Sequence, residues 1–237
     1  MKAVILAGGL GTRLRPFTDI IPKPLLPLGD KSLMEVQINR LRDCGFNHIF
    51  VATNYRAKYV EAFLGTGENH GVKIEFSQEE KPLGTAGPLS LLRDKLDEPF
   101  ILMNGDILTK LNFEDIYDFN KQKQSTLTIG TKLISTPFRF GNVEVDDNDH
   151  VTNIEEKPDH VFEVLAGIYV FQPAALKHIP NDTYFGMDTL LQTLIRENEN
   201  VTRYLIKDYW LDIGQIDDFQ QAREQYTKHF SELRAEE

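Results

Sequence analysis

The chain has 237 residues, with 26 Lys and Arg against 36 Asp and Glu, a formal net charge of −10 and 41% hydrophobic residues. That balance disfavours a nucleic-acid face, supplies enough apolar material for the core of one large domain, and contains no run near the ~20 apolar residues of a membrane span. A single cysteine, Cys44, makes no internal disulfide and reads as a structural thiol, and the six histidines form no H-E-x-x-H pattern, so any metal must be held by carboxylates. The N-terminus lacks the features of a signal peptide, which places the expected location in the cytoplasm.

In chain order, Lys2 to Ala7 is a short apolar run that reads as a buried strand, ended by glycines. Ser32 to Gly45 carries Leu33, Val36, Ile38 and Leu41 at helical spacing, with Gly45 as a C-cap, and Ile49 to Thr53 is a strand. A short helix from Tyr55 to Leu64, a strand from Val72 to Phe76, a helix from Pro88 to Leu96 and an apolar strand from Pro99 to Met103 follow. This alternation predicts right-handed crossovers and an α/β, doubly wound, mainly parallel sheet flanked by helices, with ligands at the carboxyl ends of strands. After a helix near Phe113 to Lys121 the pattern changes. Strands at Thr126 to Leu133, Gly141 to Val145, Val151 to Glu155 and Val164 to Phe171 have short connections and suggest a small antiparallel extension for a second ligand. A helix from Phe185 to Glu197, a strand from Val201 to Ile206 and a charged helix from Gln215 onward complete the pattern. No linker, repeat or low-complexity segment divides the chain, so one domain is expected over 1–237.

The first strand opens into Gly8-Gly9-Leu10-Gly11-Thr12-Arg13. Three glycines in four positions remove Cβ atoms that would hold an anion away and allow N–H groups to converge on one oxygen cluster. Arg13, Arg15, Lys23 and Lys31 fall within nineteen residues of this acidic chain, which points to a local anionic substrate. The loop matches neither the G-x-G-x-x-G nor the Walker pattern, because Leu14 stands where a third glycine belongs and no lysine follows Gly11. Taken whole, LAGGLGTRLRPFT followed by IPKPLLPLGDK resembles the start of the sugar-1-phosphate nucleotidylyltransferases, the nucleoside-diphosphate-sugar pyrophosphorylases. The similarity runs from about Lys2 to Gln225. PLGTAGPL and NGD resemble mannose-1-phosphate guanylyltransferases, and EEKP, AGIYV and YWLDIG resemble bacterial guanylyltransferases that activate amino or modified sugars for cell-surface glycans.

The resemblance implies a glycosyltransferase-A-like fold of Rossmann-like character, with 1–125 mainly for the nucleotide and 126–237 mainly for the sugar phosphate. It also implies residue roles. Leu6, Ala7, Gly8, Gly9, Gly11, Thr12 and Arg13, with Glu79, Pro82, Gly84, Thr85 and Ala86, match the nucleotide-binding loops. Lys23, Asn104, Gly141, Glu156, Lys157, Gly167 and Asp188 match the sugar-phosphate side. Asp106 and Asp212 stand in the N-G-D and W-x-D-I-G contexts of Mg2+ ligands, and hard oxygen ligands suit that ion. Arg13, Lys23 and Asp106 are the expected catalytic residues. Pyrimidine-using relatives commonly place glutamine where Glu79 falls; a carboxylate only accepts hydrogen bonds, and guanine's N1–H and N2–H2 are adjacent donors, so Glu79 favours guanine.

The expected reaction is attack of a sugar 1-phosphate on the α-phosphorus of a nucleoside triphosphate, GTP before UTP, dTTP or CTP, with loss of pyrophosphate. A non-catalytic nucleotide-sugar sensor is the alternative of another class, and would be favoured by loss of Arg13, Lys23 or an aspartate; none is lost. The left-handed β-helix of some relatives and the paired regulatory modules of others are not expected in this chain, and a monomer or homodimer is the expected assembly. Trp210 reads as core packing.

Overall fold

The computed structural model describes residues 1–54 and 56–230. Seven strands form the central sheet: β1 (Lys2–Ala7), β2 (His48–Thr53), β3 (Lys73–Gln78), β4 (Phe100–Asn104), β5 (Leu127–Pro137), β6 (Asp159–Phe171) and β7 (Val201–Leu205), in the spatial order β7-β5-β6-β4-β1-β2-β3. Every neighbouring pair is parallel except the two made by β6, which runs against both β5 and β4. The mainly parallel, doubly wound sheet expected from the alternation is therefore present, with one reversed strand inside it.

Both faces of β1 are covered, which is why it reads as an unbroken apolar run. Ala3, Ile5 and Ala7 pack with α1 (Leu33–Asp43), α2 (Ala57–Leu64) and α3 (Phe113–Lys123), whereas Val4 packs on the other layer against Leu89, Leu92 and α4 (Met187–Arg196). A third core lies under the N-terminal loops, where Phe219, Ala222, Tyr226 and Phe230 of α5 (Ile216–Phe230) meet Leu14, Leu26, Leu28 and Leu33. Among the described residues no helix is long and apolar enough to cross a membrane.

Local chemistry sets the element ends. Ser32 and Glu35 form a reciprocal capping box at the start of α1, satisfying two backbone N–H groups, and Gly45 stops the helix with φ 80°. The helix expected from Pro88 to Leu96 winds instead as a 3₁₀ segment over Gly87–Lys95. Pro88 sits in the first turn, where it costs no helical bond, and the Ser90 hydroxyl donates to the Gly87 carbonyl at 2.7 Å, a local bond that competes with α-helical bonding. Of the helix expected from Tyr55, the described part is Ala57–Leu64; Tyr55 itself, like the residues after Phe230, lies outside the described residues.

The antiparallel extension is an arm. Beyond the sheet, β5 and β6 continue as a pair from Thr131 opposite Leu165 to Pro137 opposite Asp159, and a ribbon of Asn142–Val145 with Val151–Glu155 follows. A second small ribbon, Ile107–Thr109 with Trp210–Asp212, has no counterpart in the sequence reading, and it shapes the site.

Candidate functional site

β1 and β4 are parallel neighbours with Leu6 opposite Asn104, so the loops leaving their carboxyl ends lie side by side. Strand order reverses between them, since β2 and β3 lie on one side and β4 and β6 on the other, and such a switch point opens a crevice. The crevice is a cleft of about 550 Å3. From the predicted residues its lining takes Leu6, Ala7, Gly8, Gly9, Gly11, Thr12, Arg13, Lys23, Glu79, Pro82, Gly84, Thr85, Asn104 and Asp106.

In the glycine loop, only Gly11 has a positive φ, 62°, and a Cβ there would fall 2.8 Å from Thr18 Cγ2. Gly8 and Gly9 serve by size: a Cβ on Gly8 would crowd Glu79 Oε1 at 3.2 Å, and the same position on Gly9 meets open space. Glu79, 8% exposed, takes the Leu83 N–H on Oε2 at 2.8 Å. Burial pushes its carboxyl above the usual carboxylate range, against the opposing pull of hydrogen bonds from Leu83 and Asn54.

At the other end of the cleft, Lys23 Nζ donates to Asp106 Oδ2 at 2.6 Å, whereas Asp106 Oδ1 is buried with no hydrogen-bond partner. Asp212 comes close through the small ribbon, in which it pairs opposite Ile107, and the Ile213 N–H donates to the Asp106 carbonyl at 2.9 Å. Partial loss of water and then the charge of Asp106 push the Asp212 carboxyl up, while Lys23 and Arg13 pull it down. The Arg13 guanidinium lies beside Gly214, where a Cβ would be 3.5 Å from Nη2. Two cations and two carboxylates thus converge where the glycine loop ends.

Among the described residues no cluster of three or more His, Cys, Asp or Glu could hold a metal alone. The pair Asp106 and Asp212, with the unpartnered Oδ1, nonetheless fits a divalent cation that completes its coordination with substrate oxygens and water.

The remaining predicted residues lie outside the cleft lining. Ala86 is fully buried and gives its N–H to the Phe185 carbonyl at 3.0 Å, so it supports the loop without facing the cleft. Gly141, Glu156 and Lys157 gather on the arm: a Cβ on Gly141 would be 3.1 Å from Glu156 Oε2, and Lys157 and Glu156 are 3.8 Å apart. Gly167 sits at the register shift of β6 with φ 67°, against the Asn104 amide. Asp188 is exposed in the first turn of α4. Trp210 packs against the core and donates its indole N–H to the Ala166 carbonyl at 2.9 Å.

Among the lining residues that sequence reasoning missed are Asn54, Tyr184 and Gly214. Asn54 follows β2 as Asp106 follows the end of β4, so the strand-end rule applied there would have found it. Tyr184 lies in an irregular stretch with no periodic signal.

The fold and this cleft define an α/β protein with a crevice at its topological switch point, and comparison with known proteins makes the class specific. The nucleotidyl transferase family model matches residues 2–229, and the chain belongs to that family. It is 36% identical over 228 residues to a probable mannose-1-phosphate guanylyltransferase 1 of Oryza sativa subsp. japonica, covering 92% of this chain and 63% of that protein. It is 35% identical over 227 residues to the mannose-1-phosphate guanylyltransferase catalytic subunit beta of Danio rerio, covering 92% and 62%. The chain therefore spans less than two thirds of the length of these relatives. In three dimensions it resembles HddC from Yersinia pseudotuberculosis, with a TM-score of 0.75, 28% identity and coverage of 95% of this chain and 99% of that one. A further structure of that protein is complexed with GMP-PN and has the same TM-score of 0.75 at 27% identity, again covering 95% and 99%.

Proposed function

We propose that the chain transfers a nucleoside monophosphate from GTP to a sugar 1-phosphate, releasing pyrophosphate. The observation that carries this reading is the meeting of the glycine loop and Arg13 with Lys23, Asp106 and Asp212 at the ends of β1 and β4. Joining two polyanions needs positive charge and positioning more than a covalent intermediate, because the nucleophile is already an anion. The names of the plant and fish relatives and the GMP-PN complex of the Yersinia protein support guanine.

In this mechanism the N–H groups of residues 8–12 and the Arg13 guanidinium hold the triphosphate and take up charge as it moves onto the leaving pyrophosphate. A phosphate oxygen of the sugar 1-phosphate attacks the α-phosphorus in line; the new P–O bond forms as the bond to the β-phosphate oxygen breaks. Lys23 and, from the arm, Lys157 hold the attacking phosphate, and Glu156 accepts from a sugar hydroxyl. Glu79 keeps acceptor capacity beyond its bond to Leu83 and reads the N1–H and N2–H2 edge of guanine. Asp106 and Asp212 would hold Mg2+, which supplies positive charge to the phosphate oxygens of both substrates.

The test is pyrophosphate release with Mg2+, offering GTP, UTP, dTTP, CTP and ATP in turn against mannose, glucose, glucosamine and N-acetylglucosamine 1-phosphates. Release with GTP and at least one sugar supports the proposal. Release only with UTP, dTTP or CTP overturns the guanine assignment, and tight nucleotide binding without turnover on any pair would favour the sensor.

A further inference from the structure

The mechanism leaves unexplained a buried polar side chain one layer behind the cleft. Gln37, on α1 and 2% exposed, directs its amide at the turn that carries Asp106. Its Nε2 donates to the Ile107 carbonyl at 2.7 Å and to the Asn104 carbonyl at 3.1 Å, the residues just after and just before the Gly105-Asp106 pair. Both partners are pure acceptors, so the amide can face them only through its NH2 group.

Apart from the Lys23 bond to Asp106 Oδ2, the rest of the turn is held by backbone. The Gly105 N–H donates to the Leu6 carbonyl at 2.8 Å, so close that a Cβ on Gly105 would lie 2.5 Å from that oxygen, and the Asp106 carbonyl accepts from Ile213. Among the described residues Gln37 is the side chain with hydrogen bonds to the backbone on both sides of Asp106. One turn along α1, Arg40 performs a similar task elsewhere, giving Nη2 to the Lys110 and Leu111 carbonyls at 3.0 Å each. α1 therefore carries two anchors on one face: one at the aspartate turn and one past the following strand.

We infer that Gln37 is a positioning residue, which clasps the Asn104–Ile107 turn and so sets where the free Oδ1 of Asp106 is presented to the divalent cation. The inference rests on the assignment of Asp106 as a metal ligand under the proposed function. Partners behind metal ligands fix ligand orientation, and their removal costs metal affinity more than it costs binding at remote parts of a substrate. A packing role alone would weaken the fold without selecting the metal.

The experiment compares wild type with Gln37→Leu, Gln37→Glu and Arg40→Met. Mn2+ binding is read by electron paramagnetic resonance in the presence of GTP, alongside melting temperature, kcat, KM for GTP and the Mg2+ concentration for half-maximal turnover. For Gln37→Leu the expected result is Mn2+ affinity and kcat lowered about 10- to 100-fold, with KM for GTP changed less than about twofold. Gln37→Glu keeps the size but sets a carboxylate against two carbonyls; it should lose metal affinity at least as strongly, and it carries the test if the leucine variant does not fold. Arg40→Met should lower the melting temperature and leave Mn2+ affinity unchanged. Wild-type Mn2+ affinity in Gln37→Leu, or equal loss in Arg40→Met, would overturn the inference. Wild-type protein that binds Mn2+ yet turns over no substrate would refute the transfer reading while the binding comparison still decides the role of Gln37, and wild-type protein that binds no Mn2+ would remove both.

Discussion

The cleft and the arm are built in opposite ways. The cleft stands on strands whose two faces are packed, so its backbone groups inherit their positions from a core: Phe50, Phe100, Ile5 and Met103 are all fully buried. The arm has no such backing. Leu133, Phe138, Phe140, Val143, Ile154 and Phe162 are all exposed there, with Phe140 at 71%, and Glu156 and Lys157, proposed for the sugar side, are exposed with them. The proposed nucleotide side of the site is therefore a consequence of folding, whereas the proposed sugar side rests on a paired ribbon held mainly by its own hydrogen bonds. Substitutions in the packing beneath the cleft should consequently act on stability, and those on the arm on a single substrate.

The comparison breaks most sharply at two phenylalanines. Phe50→Ala should destabilise the protein by about 3–5 kcal/mol, because it empties a site packed on all sides, while Phe140→Ala should change stability by no more than about 0.5 kcal/mol. Chemical denaturation of both variants measures the contrast, and equal losses would show that the arm is part of the cooperative core. A smaller effect sharpens the functional half. Lys157→Ala should raise KM for the sugar 1-phosphate about tenfold, since a charge-assisted contact is lost, with KM for GTP nearly unchanged. Steady-state kinetics with each substrate varied in turn would expose the error if both constants rose together.

The smallest effect concerns acid stability at the far edge of the sheet. Glu75 on β3 bonds to Lys73, Lys95 and His48, and these contacts, Lys73 first, lower its pKa from 4.5 to about 2. A carboxyl held below its unfolded value stabilises the fold above pH 4.5, and that contribution fades as pH falls from 4.5 towards 2. Glu75→Gln should flatten this part of the melting-temperature profile by a small amount, because the group is partly exposed. An unchanged acid limb in the variant would mean that other carboxylates dominate.

Most of the sheet was legible because its strands are short apolar runs bounded by glycine, proline or polar turns, and the helices of α1, α3 and α4 carry apolar positions at the spacing of one buried face. The pieces that escaped are those whose cause is not local. Ile107–Thr109 and Trp210–Asp212 are three residues each, too short to show alternation, and they join positions as far apart as Thr109 and Tyr209, separated by 100 residues. That pairing is what brings Asp212 beside Asp106; in the chain pattern each stood after an apolar strand in a fold whose strand ends converge, and the family motifs then gave the two a shared role. Gln37 lay inside a helical period as one more polar residue; its burial follows from the α1 packing against the turn after β4. In the glycine loop, composition marked three flexible positions, but among them the need for φ > 0 falls on Gly11 alone.

The most direct measurement of the central claim is pyrophosphate release from GTP and the accepted sugar 1-phosphate by wild type, Arg13→Ala and Asp106→Asn, at matched melting temperatures. If the two loops at the ends of β1 and β4 form the reaction centre, each variant should lose about 100- to 1,000-fold in kcat while remaining folded. Turnover within about twofold of wild type in either folded variant would contradict the account and place the chemistry elsewhere.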